Sequence, residues 1–122
     1  IDVKDYRPDF VKEEYEKNEC WFINNDSVTV LKAFVEEKRK YDLVFIDSQH
    51  EYQQITKEWN SVKDIISKNG LVILHDTLSH PGILQFVDEL KELNKGEYEI
   101  ITFNTPLYEG KKMSGLTVIR VL

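Results

Sequence analysis

Tyr41-Asp42-Leu43-Val44-Phe45-Ile46-Asp47-Ser48-Gln49-His50 is the stretch that decides the fold. Four consecutive apolar residues end abruptly on a carboxylate. An uninterrupted run of this length suits a strand buried on both faces of a parallel sheet better than a half-exposed, alternating strand. A second run of the same kind, Leu71-Val72-Ile73-Leu74, ends on His75-Asp76. Between them, residues 52–68 put Ile55, Trp59, Val62, Ile65 and Ile66 on one side of a helix. Asn69-Gly70 supplies the stop signal, with the glycine expected in the left-handed conformation. Strand, helix and strand in this order read as a parallel crossover unit.

Outward from that unit, the pattern continues on both sides. Upstream, Ile1-Asp2-Val3 reads as a short strand. Pro8 opens a helix over residues 8–17, with Phe10, Val11 and Tyr15 as its apolar side. Cys20-Trp21-Phe22-Ile23 is another apolar run, and Asn25, Asp26 and Ser27 offer capping oxygens to a helix reaching about Lys40. Downstream, Pro81-Gly82 precedes an amphipathic helix carrying Ile83, Phe86, Val87, Leu90 and Leu93, closed by Gly96. Residues 98–103 and 116–121 are strand-like, and the stretch 104–114 between them has no helical pattern. That pair is therefore expected as an antiparallel hairpin. The expected fold is one α/β domain over residues 1–122, three-layered, with a mostly parallel sheet and a C-terminal antiparallel pair.

Composition narrows the function. The chain has 122 residues and a net charge of −6, with 41% hydrophobic and 31% charged residues. An acidic chain whose dense basic runs are only Lys38-Arg39-Lys40 and Lys111-Lys112 is not expected to bind nucleic acid. No apolar run has the roughly 20 residues of a membrane span. Cys20 is the single cysteine, which excludes an internal disulfide, fits a reducing cytoplasm, and is expected to pack in the core. The first residue is Ile1 and the only methionine is Met113, so the sequence reads as a fragment, a processed product or an excised piece.

Ligands of open α/β sheets bind beyond the carboxyl ends of the strands. The residues ending each strand-like run are Asp2, Asn25-Asp26-Ser27, Asp47-Ser48-Gln49-His50 and His75-Asp76-Thr77. Asp47 and Asp76 would sit on neighbouring strands, a candidate site for a divalent cation such as magnesium. His50 is a candidate general base. His75 reads as a packing or inter-strand residue, and His80 as a loop residue. Glycine-rich phosphate loops, zinc-spaced Cys/His sets and a Gly-x-Ser-x-Gly elbow are missing, which argues against nucleotidase and hydrolase chemistry.

Tyr41 through Tyr52 resembles the YDLVFIDGxHxY segment of class I S-adenosylmethionine-dependent methyltransferases. Asn69-Gly70 through His75-Asp76 is similar to their GGxxxxHD strand. Pro81-Gly82-Ile83 with Val87-Asp88-Glu89-Leu90 is similar to their PGV…AVDEL helix. The nearest group is the small-molecule and sugar O-methyltransferases. The resemblance implies a Rossmann-like fold and S-adenosylmethionine as cofactor. Asp2 would hold its ribose hydroxyls, Asp26 and Ser27 would lie near its adenine, and Asp47 near its methionine part. Asp47 and His50 would be catalytic, Asp47 and Asp76 would hold any metal, and a hydroxyl of a small molecule or sugar would accept the methyl group.

The family's first strand and glycine-rich turn would precede Ile1, and that strand would lie in the middle of the sheet. The expectation is that the chain alone has weak or no activity. It is also expected to close the gap by pairing differently, or to associate with another copy through exposed sheet edges. Ser48 stands where the family has glycine, and Thr77 where it has a second carboxylate or amide. The alternative reading is a non-catalytic methyltransferase-like binding or scaffold module.

Overall fold

The computed structural model describes residues 1–5, 7–18, 20–104 and 114–122. Its elements run α1 (Asp9–Lys17), α2 (Ser27–Glu36), β1 (Tyr41–Ile46), α3 (Tyr52–Ile65), β2 (Ile66–His75), α4 (Pro81–Leu93), β3 (Tyr98–Phe103) and β4 (Leu116–Val121). The strands form one sheet in the order β1-β2-β4-β3. β1 and β2 are parallel and joined by α3, as the two apolar runs require. β3 and β4 form the expected antiparallel pair, and β4 is also antiparallel to β2. Most of the connection between β3 and β4, residues 105–113 with Lys111-Lys112, lies outside the described residues. The mixed α/β fold agrees with the sequence reading.

The core lies between the sheet and the helices. Ile46, Val72, Leu74 and Ile119 point toward Ile55, Trp59, Val62 and Ile65 of α3 and Ile83, Phe86 and Val87 of α4. The helical residues recur at three- and four-residue spacing, which lines up one face of each helix. Burying each such side chain stabilises the fold by about 1.5–3 kcal/mol. Trp59 sets its edge against Phe86 and Tyr98, with ring centroids 5.9 and 5.4 Å away.

The opposite face of the sheet differs from expectation. Leu43, Phe45, Ile101 and Phe103 are exposed on it, so β1 is not buried on both sides. Continuous apolar sequence expresses a demand for two covers, and among the described residues only the face under α3 and α4 has one.

Local corrections have local causes. The N-terminal residues form no strand: Asp2 makes one isolated parallel bridge to Asn24. Pro8 is the residue before α1 rather than part of it, and α1 buries no residue. Cys20 is exposed, not in the core. α2 stops at Glu36, and Lys38 turns the chain out with φ 55°. α3 ends at Ile65, three residues early, because Ile66 already pairs with Tyr41 in the sheet. The left-handed residue at the stop signal is Asn69 (φ 63°), not Gly70. Gly70 is needed for space, since a Cβ there would lie 2.8 Å from Ser67 O and 2.9 Å from Ile66 Cγ1.

The gap expected beside β1 is not closed by re-pairing. Among the described residues, β1 pairs only with β2, and the Asp2–Asn24 bridge lies apart from the sheet. Between them is a cavity of about 320 Å³ lined by Ile1, Leu31, Val44, Ile46 and Val62, among others. Packing of α2 on α3 holds the Asn24–Ser27 turn at that distance.

Candidate cofactor and catalytic site

Three chain turns meet at the carboxyl end of β1. The first is the start of α2. Asp26 has extended backbone, and its Oδ2 accepts the Thr29 N–H at 2.8 Å and the Thr29 hydroxyl at 2.9 Å. This is an N-cap, as the residue types suggested. The backbone bond first, and the hydroxyl second, hold the Asp26 carboxyl below its usual range. A depressed carboxyl contributes stability above its unfolded pKa of about 4, and that contribution is lost as pH falls through the folded value. Asp26→Asn keeps a capping oxygen without a titrating group. The expected result is a shallower loss of urea midpoint between neutral pH and pH 3 than in the parent chain. Superimposable acid profiles would remove Asp26 from the acid response.

The second turn follows β1. Ser48 Oγ donates to Glu58 Oε2 at 2.7 Å, and Ser27 Oγ donates to Glu58 Oε1 at 2.5 Å. Gln54 Nε2 donates to the same Oε1 at 3.0 Å and to Ser27 Oγ at 3.2 Å. Glu58 is 1% exposed. It thus ties the start of α2 and the end of β1 to the buried face of α3. The one local signal for Glu58 is its place on the Ile55–Trp59–Val62 stripe, where a carboxylate requires partners.

Asp2, Asp26, Ser27 and Asp47 all line one cavity of about 350 Å³, together with Ile1, Asn25, Ser48 and Gln54. That volume is within the range of small-molecule sites. Ser27 faces it with a hydroxyl already committed to Glu58, and Asp26 with a carboxylate whose Oδ2 is committed to its own helix. Asp2 and Asp47 bring the less engaged carboxylates.

The third turn follows β2, one strand over. Successive residues of an extended strand point to opposite faces. Asp76 breaks that alternation with φ 57°, a left-handed conformation that aspartate tolerates better than most residues. The turn swings its carboxylate beside the neighbouring imidazole: His75 Nδ1 lies 3.3 Å from Asp76 Oδ2 and 3.6 Å from Asp47 Oδ1. His50 Nε2 lies 3.2 Å from Asp76 Oδ2 and 3.6 Å from Asp47 Oδ1. His75 is thus a member of this cluster rather than the inter-strand residue expected. His80 stacks on His50 with centroids 3.9 Å apart and an interplanar angle of 16°. Thr77 takes no part. It is fully buried, and its hydroxyl accepts from Thr117 at 3.0 Å.

Of the residues proposed from sequence, Asp2, Asp26, Ser27 and Asp47 therefore share one cavity, while Asp47, His50 and Asp76 share the adjoining cluster. Asp47 belongs to both.

Comparison with known proteins places the fold. The profile of a family described as Methyltransferase domain matches residues 3–77, more than half the chain. A search of curated proteins found no significant match. Among solved structures, an O-methyltransferase from Bacillus cereus in complex with SAH is similar, with a TM-score of 0.72 at 14% identity, over 93% of this chain and 57% of that one. A Streptococcus mutans protein solved in complex with SAH matches with a TM-score of 0.67 at 12% identity, over 91% of this chain and 68% of that one. The O-methyltransferase TomG from Streptomyces achromogenes, involved in tomaymycin synthesis and solved in complex with SAM, matches with a TM-score of 0.54 at 15% identity, over 74% of this chain and 46% of that one. The chain spans a little over half the length of the Bacillus cereus enzyme. Among the described residues no helix is long and apolar enough to cross a membrane. With the parallel crossover unit, the carboxylate-tipped strands and the matched family profile together, the chain belongs to the class I S-adenosylmethionine-dependent methyltransferase family.

Proposed function

We propose that this chain carries the cofactor-binding edge and reaction centre of a cytoplasmic enzyme that methylates a hydroxyl of a small molecule or sugar. The observation that carries this reading is the meeting of Asp2, Asp26, Ser27 and Asp47 around one cavity, with Asp47 shared by the cluster that includes His50 and Asp76.

The cavity suits S-adenosylmethionine in donor chemistry as well as volume. Ribose hydroxyls need acceptors, and the Asp2 carboxylate offers them. The polar start of α2, at Asp26 and Ser27, gives the adenine a wall with hydrogen-bonding groups. Asp47, shared by the cavity and the cluster, would meet the cationic, methionine-bearing end. When bound, the cofactor supplies an electrophilic methyl group that passes to the acceptor oxygen as the carbon–sulfur bond breaks. His50 Nε2 takes the hydroxyl proton, and the carboxylates of Asp47 and Asp76 stabilise the charge that its ring then carries. Asp47 and Asp76 could hold a divalent cation, which would lower the cost of the same deprotonation.

Calorimetry of the chain with S-adenosylmethionine tests the reading. The expected result is micromolar binding that weakens about tenfold or more in Asp2→Ala, the loss of a hydrogen bond to a charged group. Absence of any binding heat would instead favour a non-catalytic binding or scaffold module.

A further inference from the structure

The cluster at the ends of β1 and β2 contains more than two oxygen donors. His50 Nε2 and His75 Nδ1 have essentially no accessible surface and no hydrogen-bond partner among the described residues. Each lies within 3.2–3.6 Å of the carboxylate oxygens of Asp47 and Asp76. The distances are those of ion pairs, yet none of these contacts is a hydrogen bond. Buried nitrogens left in this way are uncommon in folded proteins and call for a cause.

We propose that Asp47, His75 and Asp76 form a three-donor site for a divalent transition metal of the zinc–cobalt class, one that prefers this set to magnesium. The proposal rests on the reading of the cluster as the reaction centre and assigns the nature of its metal. Asp47 Oδ1, His75 Nδ1 and Asp76 Oδ2 all lie within 4.8 Å of one another. The two edges that meet at His75 measure 3.6 and 3.3 Å. Donors at the corners of a tetrahedron around zinc, each about 2.0–2.1 Å from the ion, are about 3.3 Å apart. The spacing at His75 therefore needs little movement to close on an ion. Two carboxylates balance a divalent charge, and the imidazole supplies the nitrogen that zinc and cobalt accept readily and magnesium does not. Three protein donors leave a fourth position open. His50 Nε2, 3.2 Å from Asp76 Oδ2, is not one of the three donors and would remain available to handle a proton.

A second grouping, His50, Asp76 and His80, is also compact. It fits less well. The rings of His50 and His80 are stacked nearly parallel, so their nitrogen lone pairs do not converge. His80 Nδ1 is 4.0 Å from Asp76 Oδ2 and 3.0 Å from Ser79 Oγ.

Titration of the chain with Co²⁺ tests the assignment, read by calorimetry and by visible absorption, with S-adenosylmethionine absent. One Co²⁺ per chain is expected, bound about tenfold or more tighter than Mg²⁺. His75→Asn and His75→Ala are expected to weaken Co²⁺ binding about tenfold or more, since losing a ligand costs no less than losing an outer-shell partner. Both variants are also expected to bind S-adenosylmethionine as the parent does. His80→Ala is expected to leave Co²⁺ binding unchanged. Magnesium binding as tight as cobalt, unchanged cobalt affinity in a folded His75 variant, or loss in His80→Ala would each overturn the assignment. Cofactor binding without cobalt binding would defeat this inference alone, and cobalt binding without cofactor binding would defeat only the methyl-transfer reading.

Discussion

Glu58→Ala is expected to destabilise the chain by about 2–4 kcal/mol, through a lost hydrogen-bond acceptor for three donors and a cavity where its side chain stood. Glu58 is 1% exposed and accepts from Ser27, Ser48 and Gln54, residues on three separate segments. Without it, two hydroxyls and an amide face each other, and the β1 end is no longer tied to the start of α2. Urea unfolding gives the stability change. The comparison with Glu58→Gln separates shape from charge: the amide keeps the volume but places a donor where only acceptors are wanted. It is expected to recover part of the loss, not all of it. A change under about 0.5 kcal/mol in Glu58→Ala, the scale of ordinary surface substitutions, would show that the hub is not structural. The same variant is expected to weaken cofactor binding, because Ser27 and Ser48 line the cavity that Asp2 and Asp47 share.

Gly82→Ala is the second large effect. A Cβ at Gly82 would lie 2.5 Å from Tyr52 N, 3.0 Å from His50 O and 3.1 Å from Glu51 C. All three are backbone atoms, so no side chain can rotate away. The start of α4 and the segment after β1 have to separate, at about 1–3 kcal/mol for overpacking of this kind. The separation acts directly on His50, whose carbonyl is one of the atoms struck. The expected outcome is a lower urea midpoint together with altered NMR signals for the His50 ring. A wild-type midpoint with unchanged His50 signals would mean that the contact relaxes at no cost. The Pro81-Gly82 pair, which the sequence sets before a helix and which resembles the PGV segment, thus has a tertiary reason: glycine lets a helix terminus rest on the loop that carries the candidate base.

Several features were legible in the residues. The two apolar runs at 43–46 and 71–74, with a helical stripe between them, specify a parallel pair, because a crossover of that length cannot join antiparallel neighbours by a tight turn. Asp47 and His75-Asp76 stand at the strand ends where the runs break, so their proximity followed once the strands paired in parallel. The Asp26 cap was visible for the same local reason.

Other features were not. Cys20 and Trp21 look like core residues in any window, yet both are exposed, since an apolar tetrapeptide does not carry its own cover. Leu43 and Phe45 are bare for the same reason. The end of α3 was misplaced because the helical stripe includes Ile66, and only the pairing of Ile66 with Tyr41 assigns that residue to the sheet. Glu58 carried a local signal, a carboxylate on an apolar stripe, but its partners lie up to 31 residues away.

The order of residues by itself determined the alternation of elements, the parallel crossover and which side chains end the strands, because each depends on periodicity and chain breaks within about a dozen neighbours. Only the tertiary structure decided that His75 turns toward Asp47 and that Glu58 binds two serines. It also decided that Gly82 must lack a side chain and that one face of β1 stays uncovered. Those outcomes depend on distances between segments remote in sequence and on one left-handed residue at Asp76, and no local pattern encodes either.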